Sequence, residues 1–148
     1  MIKRRRTKTV TIKDVSIGAN HPVLIQSMVT KKTTHVRSVV KQIDALESCG
    51  CGLVRVSIRN LADVAALPKI ISHISMPLCA DIHFNYRFAL GAIAAGVHKI
   101  RINPGNIGGV EHIRYVVQAA KKNGVAMRIG VNSGSLESRI YSMKRRVN

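Results

Sequence analysis

KIRINPGNIGG, residues 99–109, opens like a buried strand and closes like a phosphate loop. Ile100 and Ile102 alternate with Lys99, Arg101 and Asn103, so one face of the strand is apolar and the other carries two cations and an amide. Pro104 and the glycines at 105, 108 and 109 then end the strand and allow its backbone to approach an anion closely. The same alternation recurs in LVRVSI (53–58), PLCADI (77–82) and AMRIGV (126–131), and VLIQSM (23–28) is a fifth apolar run. Between these runs, residues 34–48, 61–74, 85–95 and 110–123 place apolar side chains three and four apart, the spacing of a helix with one buried face. Strands alternating with helices imply βαβ units and a parallel sheet. Run starts at 23, 53, 77, 99 and 126 form a coarse repeat that favours a barrel over an open doubly wound sheet.

The expected fold class is therefore α/β, a partial TIM-type (β/α) barrel with about five of the eight parallel strands. VTIKDVSIG (10–18) reads as a short amino-terminal β-hairpin ahead of it. A complete barrel takes about 250 residues, so the 148 residues here are expected to form one truncated barrel domain spanning 1–148. Thr34, Asn60 and Asn85 are expected helix N-caps, and Gly50, Gly96 and Gly124 fall where a helix end wants a left-handed residue. Pro68 is expected to kink or split the second helix.

Bulk composition narrows the function classes. Lys and Arg number 24 against 7 Asp and Glu, a net charge of +17 that raises the question of a polyanionic partner. Basic residues cluster at the two ends and otherwise scatter through helix faces, and with 3% aromatic content there is no set of rings for bases to stack on, which argues against nucleic acid. No apolar run approaches the ~20 residues of a membrane span, and no signal peptide is evident, so a cytoplasmic location is expected. Cys49, Cys51 and Cys79 suggest reduced thiols, and none has convincing metal-ligand spacing.

Because residues two apart share a strand face, Arg55 groups with Ser57, Asp81 with His83, Lys99 with Arg101 and Asn103, and Arg128 with Gly130 and Asn132. The opposite faces carry Val54, Val56, Ile82, Ile100, Ile102, Ile129 and Val131, expected to lie under helices. The polar set is then left in the lumen near the carboxyl ends of the strands, where barrel active sites sit. Three arginines at matching depth with one aspartate nearby leave buried positive charge uncompensated, which calls for an anionic ligand. Arginine forks suit phosphate, and the loops NPGNIGG and NSGS (132–135) offer small residues and amide donors. The candidate substrate-binding residues are Arg55, Asp81, His83, Arg101, Asn103, Arg128 and Asn132. Asp81 and His83 read equally as a structural pair or as an acid-base and substrate-orienting pair.

QSM (26–28), VRVS (54–57), ADIHFNYR (80–87), RINPGNIG (101–108) and RIGVNSGSLE (128–137), in this order, resemble the amino-terminal part of the 4-hydroxy-3-methylbut-2-enyl diphosphate synthase family of the non-mevalonate isoprenoid pathway. The resemblance runs from about Arg5 to Glu137. It implies an oxidoreductase that opens 2-C-methyl-D-erythritol 2,4-cyclodiphosphate by two-electron reduction, fed by flavodoxin or ferredoxin through a 4Fe-4S cluster in a separate domain, usually as a homodimer. It also implies that Arg55, Arg101 and Arg128 grip the diphosphate, with Asp81, His83, Asn103 and Asn132 around it. The chain departs from the family at VTKKTTH (29–35), where His35 takes a usually acidic position, and its cysteines match no cluster ligand. The cluster domain is expected to be absent and the chain alone inactive. The alternative is a non-catalytic remnant, serving as a basic RNA-binding module or as a complement to a separately encoded half.

Overall fold

The computed structural model describes residues 5–132. The chain first forms a hairpin of β1 (Val10–Ile12) and β2 (Val15–Ile17), paired antiparallel with Ile12 opposite Val15. A five-stranded parallel sheet follows, made of β3 (Gln26–Met28), β4 (Leu53–Ile58), β5 (Leu78–Ile82), β6 (Lys99–Ile102) and β7 (Ala126–Ile129) in sequence order. Helices α1 (Val36–Ser48), α2 (Leu61–Ile71), α3 (Tyr86–Ala94) and α4 (Val110–Lys122) make the successive crossovers. Strand order equal to chain order, with one helix per crossover, is the connectivity of a (β/α) barrel.

Most of the punctuation works as its chemistry requires. Asn60 Oδ1 accepts the Asp63 backbone N–H at 2.9 Å, and Asn85 Oδ1 accepts that of Arg87 at 2.9 Å. Gly50, Gly96 and Gly124 each follow a helix with φ of +83°, +88° and +63°, a conformation that a Cβ would oppose. Thr34 does not cap α1: His35 holds that place without a side-chain bond, while the buried neighbour Thr33 donates its hydroxyl to the Ser57 carbonyl at 2.7 Å. Pro68 does not split α2. It lies in the last turn, where its carbonyl still accepts the Ser72 N–H at 3.0 Å.

Two cores flank the sheet. On the outer face Val54, Val56, Ile58, Leu78, Ala80, Ile82, Ile100 and Ile102 pack under Val39, Ile43, Leu67, Ile70, Ala92, Ile93 and Val116 of the helices. On the lumen side a small cluster joins Ile12 of the hairpin to Leu53 and Cys79, with Val15, Ile17, Leu24 and Ala126 packed around it. Leu53, Cys79 and Ala126 are the lowest lumen-facing residues of β4, β5 and β7, so the hairpin closes the amino-terminal end of the lumen.

The edges differ from the sequence expectation. β3 begins at Gln26, leaving Val23 and Ile25 outside the strand, 82% and 61% exposed. Ile129 and Val131, expected beneath a helix, are 56% and 50% exposed, because no helix among the described residues follows β7 to cover them, while Met127 on the same face packs against the outer core.

Candidate anion-binding site in the lumen

Register sets which lumen side chains meet. Ser57, Asp81, Arg101 and Arg128 are consecutive partners across β4 to β7, while Met28, Arg55, Cys79, Lys99 and Ala126 form the row beneath. The three arginines are therefore not at one level, since Arg55 starts one row lower. Its length closes the gap: Arg55 Nε lies 3.5 Å from Asp81 Oδ2, and Arg101 Nη1 donates to Asp81 Oδ1 at 3.1 Å. Asp81, 4% exposed, thus holds two half-buried guanidiniums in one array.

That array is undersupplied with acceptors. Arg55 Nε is buried and has no hydrogen-bond acceptor among the described residues, and the Arg55 Nη2 bond goes to a thioether, Met28 Sδ at 3.3 Å. Lys99, 7% exposed, adds a fourth cation whose bond to Gln26 Oε1 is long at 3.5 Å. Burial, with Arg128 and Arg55 as like-charged neighbours, holds the Lys99 ammonium below the usual lysine range, only partly offset by Cys79. Among the described residues, four cations on the lumen face stand against the one carboxylate Asp81 over an apolar floor, an arrangement that attracts an anion.

The remaining candidates separate. Arg128 follows Arg101 in register but is exposed, because β7 is the edge of the described sheet; this corrects the expectation of three buried arginines. Asn103 is 2% exposed and turns back on its own loop: its Oδ1 accepts the Gly105 N–H at 3.1 Å and its carbonyl accepts that of Asn106 at 3.0 Å. Those two amides of NPGNIGG are therefore spent inside the loop instead of facing an anion. Asn132 is exposed just past β7. NSGS beyond Asn132 lies outside the described residues. His83 is half-buried and its Nε2 lies 2.8 Å from Ser57 Oγ, which also accepts from Arg59 Nε at 3.1 Å. Sequence reasoning placed Ser57 on the lumen face but gave it no role, and Arg59 carried no signal because it lies past the strand's end. Both line a cleft of about 640 Å³ whose other wall is Met28 to Thr34, with Lys31 and Lys32 at its rim.

Gly130 explains how Arg101 reaches its place. A Cβ there would sit 2.6 Å from Arg101 Nε and 2.9 Å from its Nη2, so the glycine leaves the room that the guanidinium fills. Gly130→Ala is expected to push Arg101 off Asp81 and weaken pyrophosphate binding about tenfold, with under about 1 kcal/mol change in stability. Titration calorimetry beside a thermal melt checks this, and equal binding by the variant would refute the role.

Lys99→Met should show the opposite balance. A depressed lysine pKa means the fold disfavours the charged form. That penalty is complete below the folded pKa and is relieved as pH rises towards the unfolded value of 10.5. The variant is expected to be more stable at neutral pH by on the order of 1 kcal/mol, with the advantage shrinking towards alkaline pH. Melts across that pH range test the sign.

The cysteines do not make a cluster site. Cys49 is exposed after α1, Cys51 lies in the outer core bonded to the Leu53 carbonyl at 3.2 Å, and Cys79 lies on the lumen floor. Burial pushes the Cys79 thiol up to about 11, away from the thiolate that an iron ligand must supply. No group of three or more metal-ligating side chains converges among the described residues. No helix among them is long and apolar enough to cross a membrane.

Comparison with known proteins identifies the relatives of this scaffold. The family model described as the GcpE TIM-barrel domain matches residues 7–148. The chain belongs to the GcpE TIM-barrel domain family. Curated relatives of this GcpE barrel include a 4-hydroxy-3-methylbut-2-en-1-yl diphosphate synthase (flavodoxin) of Fusobacterium nucleatum, 49% identical over 92% of the chain and 38% of the relative. The protein of that name from Geobacillus thermodenitrificans is 52% identical over 95% of the chain and 37% of its own length. The chain thus spans under two fifths of the relatives it matches. Among solved structures a mandelate oxidase superposes with a TM-score of 0.53 at 13% identity, over 73% of this chain and 42% of that one, a likeness of fold alone.

Proposed function

We propose that this GcpE barrel binds the diphosphate of 2-C-methyl-D-erythritol 2,4-cyclodiphosphate in its lumen, as the substrate-gripping part of a reductive synthase of isoprenoid biosynthesis. The observation that carries the reading is the Arg55–Asp81–Arg101 array, which holds two guanidiniums in place yet leaves Arg55 Nε without an acceptor. Arg101 and Arg55 offer forks to phosphate oxygens, Arg128 adds charge at the open side, and Asn103 and Asn132 supply amides near the strand ends. Asp81 keeps the guanidiniums oriented instead of competing for the ligand, since two cations share its single charge. The plug around Ile12 excludes water from below.

In this reading residues 1–148 form a single partial-barrel unit in the cytoplasm. The complete protein accepts two electrons from flavodoxin or ferredoxin through a 4Fe-4S cluster held by a further domain, and works as a homodimer. The cluster supplies electron transfer, and no cysteine of this chain takes part in holding it. The chain by itself binds and does not turn over. Titration calorimetry of the chain with the cyclic diphosphate, with pyrophosphate and with the uncharged methylerythritol is the test. Binding of the first two and not the third is expected. Equal indifference to all three, or tight RNA binding with a steep salt dependence in their place, would overturn the proposal.

A further inference from the structure

The bonds around Ser57 assign a proton that the heavy-atom distances do not show directly. Arg59 Nε carries a hydrogen and can only donate, so Ser57 Oγ accepts from it at 3.1 Å. The Ser57 hydroxyl hydrogen then needs an acceptor, and the neighbour in reach among the described residues is His83 Nε2 at 2.8 Å. If Nε2 carried the proton, Ser57 Oγ would accept from both neighbours and its own hydrogen would turn out of the array to solvent. The two bonds run in one direction when Arg59 donates to Ser57, Ser57 donates to His83 Nε2, and the neutral ring keeps its hydrogen on Nδ1, free for a ligand.

The backbone on which this order starts is fixed. Arg59 follows β4 directly, and its backbone N–H donates to Asp63 Oδ2 at 3.0 Å while Asp63 N–H donates to the cap Asn60, a reciprocal box that fixes the start of α2. The Ser57 backbone is held from the other side by the Thr33 hydroxyl. His83 Nδ1 has no bond to any described residue, and His83 shares the lumen face of its strand with Asp81.

We propose that Ser57 and Arg59 are positioning residues that hold His83 in its Nδ1–H tautomer, so that the site offers a neutral N–H donor to the anion bound beside Arg55 and Arg101. The donor role rests on the reading of the lumen as an anion site; the tautomer does not. A neutral donor at the mouth of a cavity already rich in cations adds direction to binding without adding charge.

The test uses the 148-residue chain labelled with ¹⁵N-histidine, and reads the tautomer from long-range proton–nitrogen correlations at alkaline pH. His83 is expected as the Nδ1–H form in the wild type. Ser57→Ala should shift it towards Nε2–H and weaken inorganic pyrophosphate binding about fivefold to tenfold. Ser57→Thr should restore both, and Arg59→Met should leave a mixture of tautomers. Asn at position 83 places an amide donor near the Nδ1 position and Gln near Nε2, so His83→Asn should retain pyrophosphate affinity better than His83→Gln. An Nε2–H ring in the wild type, or an unchanged tautomer in Ser57→Ala, would overturn the positioning role. The expected tautomer in a chain that binds no pyrophosphate would leave the positioning intact and sink the anion reading.

Discussion

Replacing Arg101 by alanine is expected to weaken binding of the cyclic diphosphate to this chain by about a hundredfold or more. Removing one charged partner from a desolvated site costs about 2–5 kcal/mol, and each 1.4 kcal/mol is a factor of ten. Arg101 is the guanidinium bonded to Asp81 at 3.1 Å, with Gly130 making room for it, so its loss removes a fork that is already oriented. Arg101→Lys keeps the charge without the fork and should recover only part of the affinity. The fold itself should suffer less, because Asp81 retains Arg55 at 3.5 Å and the lumen loses one of its crowded cations. Calorimetry with a parallel melt separates the two effects. An affinity change under about threefold in a folded variant would remove Arg101 from the site.

Ile100→Ala attacks the other side of the same strand. Ile100 is 0% exposed and belongs to the outer core, between β5 and β7 in the sheet. Truncation of such a side chain costs about 2–5 kcal/mol through lost transfer energy and the cavity left behind. Domains of this size have total stabilities of about 5–15 kcal/mol. With Ile129 and Val131 exposed and β3 short, the described sheet has little in reserve. A fall of about 1.5 M in the urea midpoint is expected, for a denaturant slope of about 2 kcal/mol/M. A midpoint within about 0.3 M of wild type would mean that the outer core is not closely packed at this position.

The two effects are separable because the strand is two-sided. Lys99 and Arg101 face the lumen while Ile100 and Ile102 face the helices, so Arg101→Ala reads out mainly in binding and Ile100→Ala mainly in stability. That two-sidedness was legible from KIRIN alone, and three- and four-residue apolar spacing elsewhere located the four described helices to within three residues at either end. Boundaries slipped where side chains had no neighbour to enforce them. At Val23 and Ile25 the apolar run continues past the last paired residue, and at Ile129 and Val131 no described helix follows.

Strand alternation, helical spacing and the placement of Asn60, Asn85, Gly50, Gly96 and Gly124 determined by themselves that the chain makes a parallel βαβ sheet with Arg55, Asp81 and Arg101 on its inner face. These are local properties, set by a period of two or by backbone preferences that hold wherever the residue sits. Only the tertiary structure decided that Arg55 starts a row below Arg101 yet meets it on Asp81, that Arg128 is exposed, and that Asn103 Oδ1 bonds within its own loop. It alone brought Arg59 through Ser57 to His83 and seated the hairpin under the lumen. Those relations depend on register between strands and on the reach of long side chains, quantities that no periodicity within one segment contains.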